Sequence, residues 1–221
     1  PAGPGYQITP KAARRLDEAA GRIYRTRKLG WDGHFDLIVL DGPAARRERQ
    51  RLGANLAYLG YGRLDEHVWG APRPAEEVAS LLAEAGIRFE RFRAAHGAGL
   101  PGATALVRRA WNLDELSAAY ERFMTDQREL LATVTARSSD EEAYAARFRL
   151  VHAWRTFLFR DPQLPPALLP DHWPGTAAAK FFDRHAARLR PAADRYVDQC
   201  LQSGMRAVRQ KGHERERSAA R

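Results

Sequence analysis

The chain has 221 residues, 44% of them hydrophobic and 29% charged, with a formal net charge of +9. That length holds one large or two small globular domains, and no apolar run is long enough to span a membrane. A lone cysteine, Cys200, excludes a disulfide framework and a cysteine-based zinc site, and fits a reducing cytoplasm.

The charge sits at the ends. Residues 1–31 carry seven Lys/Arg against Asp17 and Glu18, and residues 206–221 carry six against Glu214 and Glu216. The stretch between them is neutral overall. Basic ends beside a polyanion add sequence-independent affinity, although the C-terminal run reads better as a solvated charged helix and a frayed tail. The first residues, PAGPGYQITP, lack the basic and apolar regions of a signal peptide.

Residues 5–9 read as a short strand. Thr9 caps a helix with Pro10 in its first position, running to about Tyr24. One strand and one helix cannot make a core, so residues 1–30 read as the end of a larger domain.

Residues 31–96 form a clean unit. His34–Asp41 is an apolar strand and Pro43–Leu59 a helix with Leu52, Leu56 and Leu59 inside. Tyr61–Gly70 holds one strand or a tight pair. Pro74–Ala85 is a second helix, and Ile87–Ala94 alternates as a strand. The order β-α-β(β)-α-β is the split-βαβ, ferredoxin-like pattern. Gly97-Ala98-Gly99-Leu100-Pro101-Gly102 matches a dinucleotide-binding string, but no second parallel strand follows it. It reads as an interdomain linker.

From Trp111 the chain is helical. Asn112 with Glu115, and Ser139 with Glu142, are capping boxes, the second starting a helix at about Asp140. At about 100° per residue, Tyr144, Phe148, Val151 and Leu158 share a stripe, with Arg155 near its middle and His152 on its edge. Read as a core face, that stripe demands a partner for the Arg155 guanidinium: Asp161, Asp171, water reached by snorkelling, or a ligand anion. Residues 161–174 are Pro-rich yet apolar, and read as a stiff, buried connector. A last helix runs from about Thr176 to Gln202, kinked at Pro191, with Phe181, Phe182, His185, Leu189, Ala193, Tyr196 and Cys200 on one stripe. His185 reads as a core histidine or as a ligand-binding one.

Enzyme signatures are scarce, and the seven histidines show no metal-site spacing. Asp41, at the end of a strand and ahead of an Arg-rich helix, suits Mg²⁺ held across a symmetric dimer, and equally the cap of an Asp-Gly-Pro turn.

The segments WDGHFDLIVLDGP, LGYGRLDEHVWGAP, LPGATALVRRAWNLDELSAAYERF and LVHAWRTFLFRDPQLPPALLPDHWPG, in this order, resemble the PaaX family of bacterial repressors of phenylacetate breakdown. The resemblance implies an α+β chain in four parts. Residues 1–30 are the end of a winged-helix domain with its connecting helix, and 31–102 a ferredoxin-like domain and linker. Residues 103–205 are an α-helical effector domain, and 206–221 a basic tail. It implies a homodimeric, cytoplasmic repressor with no catalytic residue, metal or cofactor, bound to operator DNA and released by an aryl-CoA such as phenylacetyl-CoA. GYQITPKAARRL resembles the wing strand and exit helix alone, without the helix that reads DNA, which makes Tyr6, Lys11, Arg14 and Arg15 the DNA-proximal residues. For the thioester, Arg155, His152, Trp154, Trp173, Phe181, Phe182 and His185 are suitable residue types. Two other readings compete. One is a metal-dependent nuclease of the CRISPR-associated ferredoxin-like type using Asp41. The other is a dimerisation or interaction module without DNA binding.

Overall fold

A computed structural model describes residues 8–9, 30–41 and 46–219, the side chains of 46–50 and 205–219 excepted. The described chain is mixed α+β, a four-stranded antiparallel sheet followed by a helical region. It divides into two compact units, 1–120 with 155–174, and 121–154 with 175–221.

The first unit opens on β1, His34–Asp41, the strand expected from its apolar run. Helix α1 (Arg46–Tyr58) leads to the short β2 (Gly62–Arg63) and to β3 (Val68–Ala71), so the expected tight pair is present. Helix α2 (Glu77–Glu84) and strand β4 (Arg88–Ala95) complete the sheet, in the order β2-β3-β1-β4. Every neighbouring pair is antiparallel, with Ile38 opposite both Trp69 and Arg91. Both helices end at a glycine with positive φ, Gly60 at 90° and Gly86 at 67°. The amides of Gly60 and Tyr61 reach back to the carbonyls of Ala57 and Leu56, and those of Gly86 and Ile87 to Ala83 and Leu82. These are Schellman ends, which a residue with a Cβ would strain.

Alternation along the strands gives the sheet two faces. Ile38 and Ala71 pack with Leu52, Leu56, Val78 and Leu82 of α1 and α2. Phe35 packs on the other side with Ala103, Val107 and Leu113, and with Leu164 and Leu168 of the connector. The connector is buried only in part: Leu164, Pro165 and Leu168 point inward around a 3₁₀ turn at Pro166–Leu168, while Pro166, Ala167, Asp171 and His172 are exposed. It belongs to the same compact unit as the sheet.

Gly97–Gly102 is not a linker. Helix α3 spans Gly99–Ala110, and Pro101 lies in its first turn, where a missing amide costs nothing. Helix α4 (Leu113–Ala132) begins at the Asn112 capping box, with the Glu115 amide 3.1 Å from Asn112 Oδ1.

Helix α5 is Asp140–Arg155, and its capping box is reciprocal: Ser139 N donates to Glu142 Oε2 at 2.7 Å and Glu142 N to Ser139 Oγ at 3.2 Å. A short α6 (Phe157–Arg160) follows, then α7 (Pro174–Ala219), which continues through Pro191 without a break. The residues that α5 buries are Ala143, Ala146, Leu150 and Trp154. This corrects the expected inner stripe. Phe148 is 60% exposed, and Arg155 and His152 are exposed as well. Both arcs of α5 carry apolar groups, but burying the expected one would strip water from Arg155 and His152. The arc of alanines, Leu150 and Trp154 packs inward instead and takes Arg147 Nε with it.

Candidate functional site

The residues expected to bind an effector separate. Arg155 ends α5 in solvent, so it has no need of an anion. Asp161, once a candidate partner, accepts from Tyr120 Oη at 2.5 Å and from the Gln163 amide at 2.7 Å. Trp173 is half-buried in the first unit, edge-on to Tyr120 at 6.0 Å. His152 lies beside Phe148 at 6.3 Å on the exposed stripe. Tyr6, Lys11, Arg14 and Arg15 lie outside the described residues.

Trp154, Phe181 and His185 do come together, inside the second unit. Trp154 stacks on Phe182 at 4.9 Å, and Phe123 approaches Trp154 at 5.4 Å and Phe181 at 6.1 Å. Phe181 in turn lies 4.5 Å from the His185 ring, and the Arg128 guanidinium sits 5.8 Å above the Phe181 ring. These contacts join α4, α5 and α7 through aromatic faces. Three polar atoms are buried in this unit without a hydrogen-bond partner among the described residues: Gln127 Oε1, Arg147 Nε and His185 Nδ1. Burial, then repulsion from Arg188 and Arg184, lowers the His185 pKa below its ordinary value. Aromatic faces and these three polar side chains thus lie in the same unit.

Sequence reasoning missed Phe123 as a wall, and missed Gln127 and Arg147 altogether. Gln127 was visible in principle as a polar residue one turn after Phe123 and one before Leu131, on the apolar stripe of α4. Arg147 was not, because its burial depends on which arc of α5 faces inward.

The first unit holds a different polar cluster. Asp36, 8% exposed in the middle of β1, accepts from the Tyr61 hydroxyl and from Arg91 Nε at 2.8 Å. Arg91 Nη2 donates to the Ala75 carbonyl at 3.2 Å, and the Ala75 amide to Tyr61 Oη at 3.3 Å. Burial and the bond to Asp36 hold the Tyr61 hydroxyl well above its ordinary pKa. Asp41 is exposed at the strand end, 2.8 Å from Arg88 Nη2, and among the described residues no three metal-ligating side chains cluster. A cavity of about 190 Å³ lies beside Trp111, Leu113, Arg160 and Pro162, below the roughly 300 Å³ of ordinary ligand pockets. Its charges are already used, with Arg160 2.7 Å from Glu115.

Two family models match this chain, one after the other. The PaaX protein central Cas2-like domain matches residues 28–105, and the PaaX-like protein C-terminal domain matches residues 111–199. The chain belongs to the PaaX family. It is 29% identical over 202 residues to the transcriptional repressor PaaX of Escherichia coli K12, covering 88% of this chain and 64% of the relative's length. An uncharacterised protein, Rv0674 of Mycobacterium tuberculosis, shares the fold with a TM-score of 0.61 at 22% identity, over 86% of this chain and 74% of that one.

Proposed function

We propose that this chain acts in a dimeric, cytoplasmic transcriptional repressor that is released from operator DNA by an aryl-CoA thioester such as phenylacetyl-CoA. The observation that carries this reading is the ordered match of both PaaX domains, alongside a relative named as a repressor. The chain then works by binding and not by catalysis. Operator contact falls in this reading on residues 1–30, Tyr6, Lys11, Arg14 and Arg15 among them, and these four lie outside the described residues. The order β-α-β-β-α-β with strand order 4-1-3-2 supports a ferredoxin-like middle domain.

Effector binding is assigned to the three-helix unit. What supports it is the coincidence of Phe123, Trp154, Phe181 and Phe182 with the buried, unpartnered atoms of Gln127, Arg147 and His185. A thioester that binds only the folded chain adds about 2.7 kcal/mol at 100 times its dissociation constant, a rise of several degrees in melting temperature. Thermal melts with phenylacetyl-CoA, free CoA and phenylacetate test this. The thioester should shift the melt more than either fragment. No shift with any acyl-CoA would remove the effector from this reading.

A further inference from the structure

Helix α5 carries a second face, aromatic along its middle, that its own unit covers only in part: Tyr144 is half-buried, while Phe148 is 60% exposed. Glu141, Tyr144, Ala145, Phe148, His152 and Arg155 fall within an arc about 100° wide, opposite the buried Ala146 and Leu150. The aromatic groups there form a row. Phe148 lies 6.4 Å from Tyr144 and 6.3 Å from His152, and Tyr144 lies 5.1 Å from Tyr196 of α7. A helix apolar on two faces has two surfaces to cover.

We propose that this face of α5 pairs with the same face of a second copy of the chain, antiparallel and centred on Phe148. The charges at its ends select that occupant and that direction. In an antiparallel two-fold pair, Phe148 meets its own counterpart, and Tyr144 meets His152 of the second copy. Glu141 then meets Arg155 of the second copy, twice by symmetry. A parallel pair would set Glu141 on Glu141 and Arg155 on Arg155, which repel. Helix α5 is about 24 Å long, and such a pair alone falls short of the roughly 1,200–2,000 Å² of a stable interface. Tyr196 and its neighbour Val197, 39% exposed, extend it. On this assignment His152 and Arg155 serve the dimer and not the effector.

The inference rests on the reading of the chain as a dimer, and sedimentation equilibrium of the whole chain separates the two. Phe148→Glu, at an exposed position, should leave the thermal melt of the monomer unchanged and weaken the dimer at least about tenfold. Glu141→Arg and Arg155→Glu should each weaken it, since each sets like charges opposite at two points. The double variant, Glu141→Arg with Arg155→Glu, should recover most of the wild-type affinity, which a general loss of surface charge would not do. A wild-type chain that stays monomeric at high micromolar concentration defeats both the dimer and this surface. A wild-type dimer indifferent to Phe148→Glu, or charge swaps that fail to compensate, defeats this surface alone.

Discussion

The two units treat buried polar groups in opposite ways. In the sheet unit, Asp36, Tyr61, Arg91 and the backbone of Ala75 close a ring of hydrogen bonds, and Tyr120 and Asp161 satisfy each other. In the helical unit, Gln127, Arg147 and His185 each bury an atom with no partner among the described residues. A closed network in a low dielectric specifies one arrangement of the elements that carry it. Unpartnered polar atoms instead favour anything that brings them a partner. The exception in the sheet unit lies at the connector. Arg73 donates to the Gln163 carbonyl, yet its Nη1 is buried without a partner, and burial lowers its pKa. The difference gives the sheet unit a polar network that is already closed and the helical unit polar atoms that are not.

The largest expected effect breaks the closed ring. Asp36→Ala strands the Arg91 guanidinium without an anion and the Tyr61 hydroxyl without an acceptor. Removing one member of a buried pair costs several kcal/mol, less here because the Arg91 side chain is 31% exposed. We expect a loss of about 2–4 kcal/mol in urea unfolding. A loss below about 1 kcal/mol would show that the ring specifies nothing the packing does not already fix.

A smaller effect of opposite sign is expected in the helical unit. Gln127→Leu replaces an unpartnered acceptor with an apolar group of similar size, a change that ranges from neutral to stabilising by about 1 kcal/mol. If Gln127 also faces the effector, the same variant should reduce the melting shift produced by an aryl-CoA. A destabilisation comparable to Asp36→Ala would mean that Gln127 Oε1 is satisfied after all, and the contrast between the units would collapse.

How much of this was legible depended on whether the deciding signal was local. The capping boxes at Asn112 and Ser139 involve residues three apart, and both form as read. Strand β1 announced itself because it is covered on both faces, so its apolar run is nearly continuous from Phe35 to Leu40. What that run concealed was Asp36, whose partners Tyr61 and Arg91 lie 25 and 55 residues away. In α5, periodicity showed which residues share an arc. It could not show which arc faces inward, because Tyr144 and Phe148 on one side compete with Leu150 and Trp154 on the other. The aromatic arc ends in His152 and Arg155 and the inward arc carries Arg147, so either choice desolvates a polar group and the pattern alone does not decide. The same ambiguity touches the candidate site: Trp154, Phe181 and His185 belong to one aromatic cluster, while Arg155 lies exposed at the end of α5.

The smallest expected effect is a pH dependence, and it tests whether the helical interior is as unaccommodating to charge as its unpartnered atoms imply. His185 stands at an ordinary value of 6.5 in the unfolded chain, and burial with Arg188 and Arg184 lowers it in the fold. Helices α4 and α5 contribute Arg128 and Arg147 to the same unit, and neither is an anion that would reverse the shift. Above about pH 6.5 the imidazole is neutral in both states, and its contribution to stability is fully present. As pH falls below that value, the unfolded chain takes up a proton that the folded chain resists. Stability is therefore lost until pH drops through the folded-state pKa, beyond which the loss is complete. The comparison is urea unfolding of the wild type and of His185→Leu from about pH 8 down to about pH 5. The wild type should lose stability relative to the variant over that range, because the variant has no proton to refuse. Parallel curves would mean that the ring is solvated in the fold. A wild type that gains on the variant as pH falls would mean that an anion faces His185, and would place the unpartnered interior elsewhere.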